Sequence, residues 1–289
     1  YDDVRYLNKA EVRFNADIMA DLENYKFTFE ENSFSLNDMK LNFDGWLSMP
    51  EEAIEMDITF NTPSTNFKEL LSLVPAAYMK DFEELETSGA FNLEGQVAGH
   101  YLNDTLPGFN LSLGVTNGSI SYPDLPEAVT NIAMQARVEN PGGSGMINHV
   151  NVSRFHAEMA DNPMDATLKV HTTEEDVDMS GSVKGKADLE RISQLVALDS
   201  MELKGMIEAN MDFGGMLSDI EEENYESFKA DGSMKLKDFS YSGPELPHPF
   251  IISESSMQFS PRELALLSFK AKTGNSDMAM NGSLSNYIA

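Results

Sequence analysis

The strongest constraint on the fold of this chain is a hydrophobic period of two. Phe109, Leu111, Leu113 and Val115 alternate with Asn110, Ser112, Gly114 and Thr116. The pairs Phe27 and Phe29, Phe34 and Leu36, and Leu41 and Phe43 repeat the pattern, as does the run Met56, Ile58, Phe60. Successive side chains of a strand point to opposite faces, so these runs each make one apolar and one polar face, as antiparallel sheets do. Further runs predict strands over 147–155, 167–171, 177–183, 204–213, 232–241 and 278–284. Asn117-Gly118, between the Phe109 run and Ile120-x-Tyr122, predicts a tight hairpin. Gly89, Gly95, Gly99, Gly205, Gly214 and Gly215 interrupt the runs and predict bulges or sharp coiling.

Helices are few and short. Asn66 is an N-cap candidate with Glu69 three residues on, followed by a stripe of Phe67, Leu70, Leu71 and Val74 that Pro75 closes. A second short helix is expected over 78–85. Asp188 caps a third, with Leu189, Ile192, Leu195 and Val196 inward. Pro261 to Leu267 reads as a brief turn, and Asn140 to Gly145 as a long hairpin loop.

Several of these signals recur. The segment from Asn66 to Val74 returns from Asp188 to Val196, 122 residues on, and Ser121-Tyr-Pro-Asp-Leu-Pro126 returns as Ser242-Gly-Pro-Glu-Leu-Pro247, 121 residues on. Met179-Ser-Gly-Ser-Val183 returns as Met280-Asn-Gly-Ser-Leu284. Repeats that bury surface against their neighbours predict an extended, stacked architecture. The expected organisation is one elongated β-rich fragment over 1–289, in units 1–122, 123–243 and an incomplete 244–289. The fold class is mainly β: long coiled antiparallel sheets with a few short capping helices, able to form an open apolar groove.

Charge and composition narrow the function. The net charge is −28, with only 20 Lys and Arg, so neither nucleic acid nor an anionic membrane surface is an expected partner. With no cysteine, there is no disulfide framework, thiolate metal site or thiol nucleophile. The longest apolar stretch, about ten residues around Leu70 to Met79, is short of the ~20 needed to span a bilayer.

No constellation points to catalysis. Glu174, Glu175, Asp176 and Asp178 lack the glycine and terminal glutamate of a calcium loop and read as a solvated acidic turn, as does the run Glu221 to Glu223. His149 and His156 can approach across a pleat, yet no supporting ligand accompanies them. Ser119 and Ser121 stand on no nucleophile elbow. The expectation is a protein with no catalytic residues, metal or cofactor. The 18 methionines, among them Met39, Met49, Met56, Met206, Met211, Met234, Met257, Met278 and Met280, supply an adaptable apolar surface.

The stretch from Pro107 to Pro126, with Asn131-Ile132 and Asn140-Pro-Gly-Gly143, resembles the AsmA-like proteins of Bacteroidetes. So do the segment Phe67 to Tyr78 before Asp81-Phe82, and the run Gly89-x-Phe91-x-Leu93-x-Gly95-x-Val97-x-Gly99. The resemblance implies a large periplasmic β-rich body in a protein anchored to the inner membrane by a helix outside these residues. It also implies a non-enzymatic role in phospholipid transport or outer-membrane assembly, with acyl chains and envelope proteins as partners. No residue role carries over singly, because a groove is a face and not a motif.

The candidate lipid-groove residues lie on the best-alternating apolar faces: Phe27, Phe29, Phe34, Leu36, Leu41, Phe43, Phe109, Leu111, Leu113, Val115, Ile120 and Tyr122. The same residues also fit a closed core, and the sequence leaves both readings open. The alternative function is an all-β envelope or surface module that binds glycan or protein. Trp46 is its only tryptophan platform.

Overall fold

A computed structural model describes residues 11–36, 39–50, 53–63, 65–71, 86–103, 105–121, 128–144, 147–159, 162–173, 175–195, 201–222, 227–244 and 246–285. Strands take up 80% and helices 5%, so β-sheet carries the fold as the alternation predicts. In chain order the elements are β1 (Val12–Asp21), β2 (Lys26–Leu36), β3 (Met39–Ser48), β4 (Ile54–Asn61), β5 (Thr65–Asn66) and α1 (Phe67–Leu71). Next come β6 (Glu86–Tyr101), β7 (Gly108–Ser121), β8 (Val129–Asn140), β9 (Asn148–Met159) and β10 (Asn162–Thr172). The chain continues with β11 (Val177–Asp188), α2 (Leu189–Leu195), β12 (Glu202–Met216), α3 (Leu217–Glu221) and β13 (Lys229–Ser242). It closes with β14 (Phe250–Ser260), β15 (Glu263–Thr273) and β16 (Ser276–Ser285). The expected helix over 78–85 and the ends of the first and third helical stripes lie outside the described residues.

Two compact units divide the chain, Tyr1–Arg154 with Val170–Glu175, and Phe155–Lys169 with Asp176–Ala289. In the first unit β1, β2, β3, β4, β6, β7 and β8 hydrogen-bond in that order, each pair antiparallel, and β5 pairs with β6. In the second unit β11 to β16 do the same in chain order. Most of the connections are short, whereas β4 reaches β6 through β5 and α1, β11 reaches β12 through α2, and β12 reaches β13 through α3.

Asn117-Gly118 does not turn the chain. It lies inside β7, whose register shifts against β8 between Val115 and Gly118. Asn117 takes φ 49°, the left-handed conformation that both a tight hairpin and a bulge require, and the pairing on both sides selects the bulge. Likewise Pro261 and Arg262 alone make the turn expected over 261–267, and β15 begins at Glu263.

The helix caps follow the sequence. Asn66 Oδ1 accepts from the Lys68 amide at 3.0 Å, and Asp188 Oδ1 accepts from Glu190 at 3.1 Å and Arg191 at 3.4 Å. Each satisfies first-turn N–H groups that a helix leaves free. Both helices lead into a long strand, 16 residues in β6 and 15 in β12. Phe67 of α1 is buried. Among the described residues no helix is long and apolar enough to cross a membrane.

Candidate functional site

Register determines which side chains share a face, because directly opposed residues of antiparallel strands point the same way. Ile18, Phe29, Gly45, Ile58, Val97 and Phe109 form one row across six adjacent strands of the first unit. A second row runs Phe43, Phe60, Gly95, Leu111 and Val138. Phe27 stands opposite Leu47, Phe34 opposite Leu41, Leu36 opposite Met39, Leu113 opposite Leu93, and Ile120 opposite Thr87. All the candidate groove residues among those described therefore lie on one apolar face of one sheet. Tyr122 lies outside the described residues.

Odd spacings along β2 and β7 would throw part of this set to the other side, and bulges prevent it. Between Phe29 and Asn32 the β2–β3 register shifts, with Glu31 at φ 54° and its amide donated to Asp44 Oδ1 at 2.7 Å. Phe34 is thereby returned to the face of Phe29. The bulge at Asn117 does the same for Ile120 after Val115.

Glycines opposite phenylalanines shape the surface. A Cβ on Gly95 would lie 2.5 Å from Cζ of Phe60, and one on Gly181 would lie 2.7 Å from Cζ of Phe213. Each ring lies down across the missing side chain, the cross-strand fit by which an aromatic covers a glycine. Phe43 is packed between Phe14 and Phe29 at centroid distances of 5.8 Å each.

The face is incompletely shielded from water. Val115 is 2% exposed and belongs to the closed core, whereas Phe109 is 36% exposed and the other described candidates are half-buried. Among the described residues only eight apolar side chains are fully buried, Met39, Phe67, Phe91, Val115, Ile132, Ala157, Ile252 and Ala271. Among the described residues two buried side-chain atoms lack a hydrogen-bond partner, Nδ2 of Asn32 and Oγ1 of Thr87, and both residues occupy this face. Asn32 Oδ1 is used, accepting from the Asp17 amide at 2.6 Å.

The same alternation continues in the second unit. Val183, Met211, Gly232, Phe259, Leu264 and Leu284 form one row. Met234 stands opposite Met257, Phe269 opposite Met280 and Ala271 opposite Met278. Of the methionines singled out in the sequence, Met206 is on the other face, opposite Asp188 and Lys237, and Met49 lies beyond the end of β3 and is 40% exposed. Sequence reading left Ile58, Phe60, Phe91, Leu93 and Val97 out of the candidate face. Their signal is the same alternation, clean at Ile58 and Phe60 and diluted by Gly89, Gly95 and Gly99 at Phe91, Leu93 and Val97.

The opposite face is polar. Lys26 Nζ sits 4.4 Å from the ring centroid of Trp46, so this tryptophan is partly covered by a cation rather than free as a platform. His149 and His156 have separate partners: His149 stacks on His171 at 4.2 Å, whereas His156 bonds Asp165 at 2.8 Å and Glu158 at 3.3 Å. The Asp165 contact, more than that with Glu158, raises the His156 pKa above its ordinary value. Asp176, from the acidic turn, receives the Ser218 hydroxyl and the amides of Val177 at 2.7 Å and Ser218 at 3.2 Å. These hold its carboxyl below the usual range and fasten the start of α3. Among the described residues no group of three His, Asp or Glu is placed to hold a metal.

No family model, curated protein or solved structure matches this chain.

Proposed function

We propose that this chain is a non-enzymatic, periplasmic β-groove segment of an AsmA-like protein held at the inner membrane, and that its apolar face holds phospholipid acyl chains in phospholipid transport or outer-membrane assembly. The observation that carries this reading is the row-by-row apolar face of the first unit, without one charged side chain from β1 to β8 and mostly half-buried or exposed, with Met39, Phe91, Val115 and Ile132 closed beneath it. A sheet face that is dry in composition but wet in exposure is stabilised by any apolar cover, at about 25 cal/mol per Å² removed from water. An acyl chain supplies that cover and demands no polar partner from it. The flattened phenylalanines and the methionines of the second unit fit a flexible occupant. A surface module for glycan or protein is the second reading, and Trp46, engaged by Lys26, gives it little support.

A photoreactive residue in place of Leu113, compared with one in place of Ser112, tests the assignment in intact cells. Crosslinks to phospholipid are expected from position 113 and not from 112, because neighbouring strand positions face opposite ways. Equal labelling, or none at 113, overturns it.

A further inference from the structure

On the polar face of the first unit, the ends of β6, β7 and β8 enclose a depression of about 340 Å³. Its floor lies where Ala98 and Gly108, two minimal side chains, stand directly opposite one another. Along one edge, Gln96, Asn110 and Glu139 form a row across three strands, a span of about 10 Å at the usual strand spacing. Pro141 and His149 complete the rim.

The rim is held in place before any ligand arrives. Gln96 Nε2 donates to Asp57 Oδ1 at 2.7 Å, which fixes its amide. Arg137 grips Glu139 Oε1 through Nε at 2.7 Å and Nη2 at 2.6 Å. Asn140 accepts from the Gly142 amide at 2.7 Å and donates to Asn148 at 3.0 Å, which fixes Pro141. His149 lies against the ring of His171. Preorganised groups of this kind lower the ordering cost of binding.

From this geometry we infer that the depression binds a short uncharged saccharide. Each charge at the rim already has a partner, so a strongly charged ligand gains little, and an anion also meets the net charge of −28. What the rim still offers is mixed hydrogen-bonding capacity: the second carboxylate oxygen of Glu139, the Asn110 amide and an imidazole. Hydroxyl groups, which both donate and accept, match that set. Pro141 offers an apolar edge to the C–H face of a ring, and the row of three polar side chains matches the length of two linked sugar rings. The site is on the other side of the sheet from the proposed lipid face, so the two assignments stand or fall separately.

The test is a titration of the isotope-labelled chain with cellobiose and with maltose, followed by amide chemical shifts. Sialyllactose serves as an anionic comparison and trilysine as a cationic one. A saturable shift at Gln96, Asn110 and Glu139 is expected with a neutral disaccharide, weaker by about tenfold for sialyllactose. Ala98→Phe, which fills the floor from the solvent side, should abolish it while distant resonances stay in place. If that variant does not fold, Glu139→Gln should weaken binding by about tenfold by converting a charge-assisted acceptor into a neutral one. No saturable shift with either disaccharide, a shift that survives Ala98→Phe, or preferential binding of trilysine overturns the proposal.

Discussion

The β6–β7 pair of the first unit and the β12–β13 pair of the second solve one problem with different residues. Gly89, at φ 102°, sits at a register shift between Ser88 and Ala90, and Gly205, at φ 103°, at a shift between Lys204 and Met206. A Cβ on Gly89 would lie 2.5 Å from the Asn117 carbonyl oxygen, and one on Gly205 would lie 2.5 Å from that of Asp238. Both facing residues are left-handed, Asn117 at φ 49° and Asp238 at φ 52°. The next residues differ. Gly118 is wedged against Ile132 and Val115, whereas Phe239 stands opposite Ile252. The backbone device is thus shared while the side chains around it are not: conformation constrains this spot more tightly than packing does, and two unlike packings satisfy it.

The largest effects should come from the glycines. Gly89→Ala and Gly205→Ala each force a methyl into backbone at a conformation L-residues avoid, and each should cost about 3 kcal/mol in denaturant unfolding. Gly143, at φ 106° with nothing near its would-be Cβ, separates the two causes, and Gly143→Ala should cost only about 1 kcal/mol. Unequal losses at Gly89 and Gly205 would break the comparison.

The caps come next. Asn66→Ala should cost about 1 kcal/mol. Asp188→Ala should cost more, by a few tenths, because its other oxygen also holds Arg191 Nε at 3.2 Å. Thermal midpoints of the two variants measure the difference, and a larger loss at Asn66 would contradict the geometry.

Acid–base behaviour should distinguish the units. His156 gains its carboxylate partners on folding, so its folded pKa is raised above 6.5. Its contribution is complete below that value and is lost as the pH rises through the folded pKa. His156→Gln should therefore destabilise by about 0.5–1 kcal/mol near pH 5.5 and by much less near pH 8.5. Hydrogen exchange should report the change in the second unit and leave β6 and β7 unaltered. A loss that grows with pH would reverse the assignment.

The smallest expected effect is the exchange Asn117→Asp or Asp238→Asn. Both side chains tolerate the left-handed conformation, so each substitution should stay within about 0.5 kcal/mol. A larger loss would mean that the side chain, and not the backbone, sets the bulge.

Much of this architecture was legible because its rules are local. Period-two runs mark strand from Phe27 to Phe29, from Phe34 to Leu36 and from Phe109 to Val115 whatever they pair with, and Asn66 and Asp188 cap their own helices. The site was legible as a set of apolar positions but not as a surface, since its rows depend on which residues stand opposite. Phe60 lies flat only because Gly95 faces it, and Val115 is closed core while Leu113, two residues earlier, is half-buried.

The sequence by itself determined that the chain is sheet and which residues share a face within each unbroken run of alternation. Tertiary pairing decided the rest. Asn117-Gly118 satisfies a hairpin and a bulge equally well, because both need only a left-handed residue. The choice fell to hydrogen bonding with β6 on one side and β8 on the other. The depression over Ala98 and Gly108 has the same origin: two small residues on consecutive strands become a cavity only when register sets them side by side.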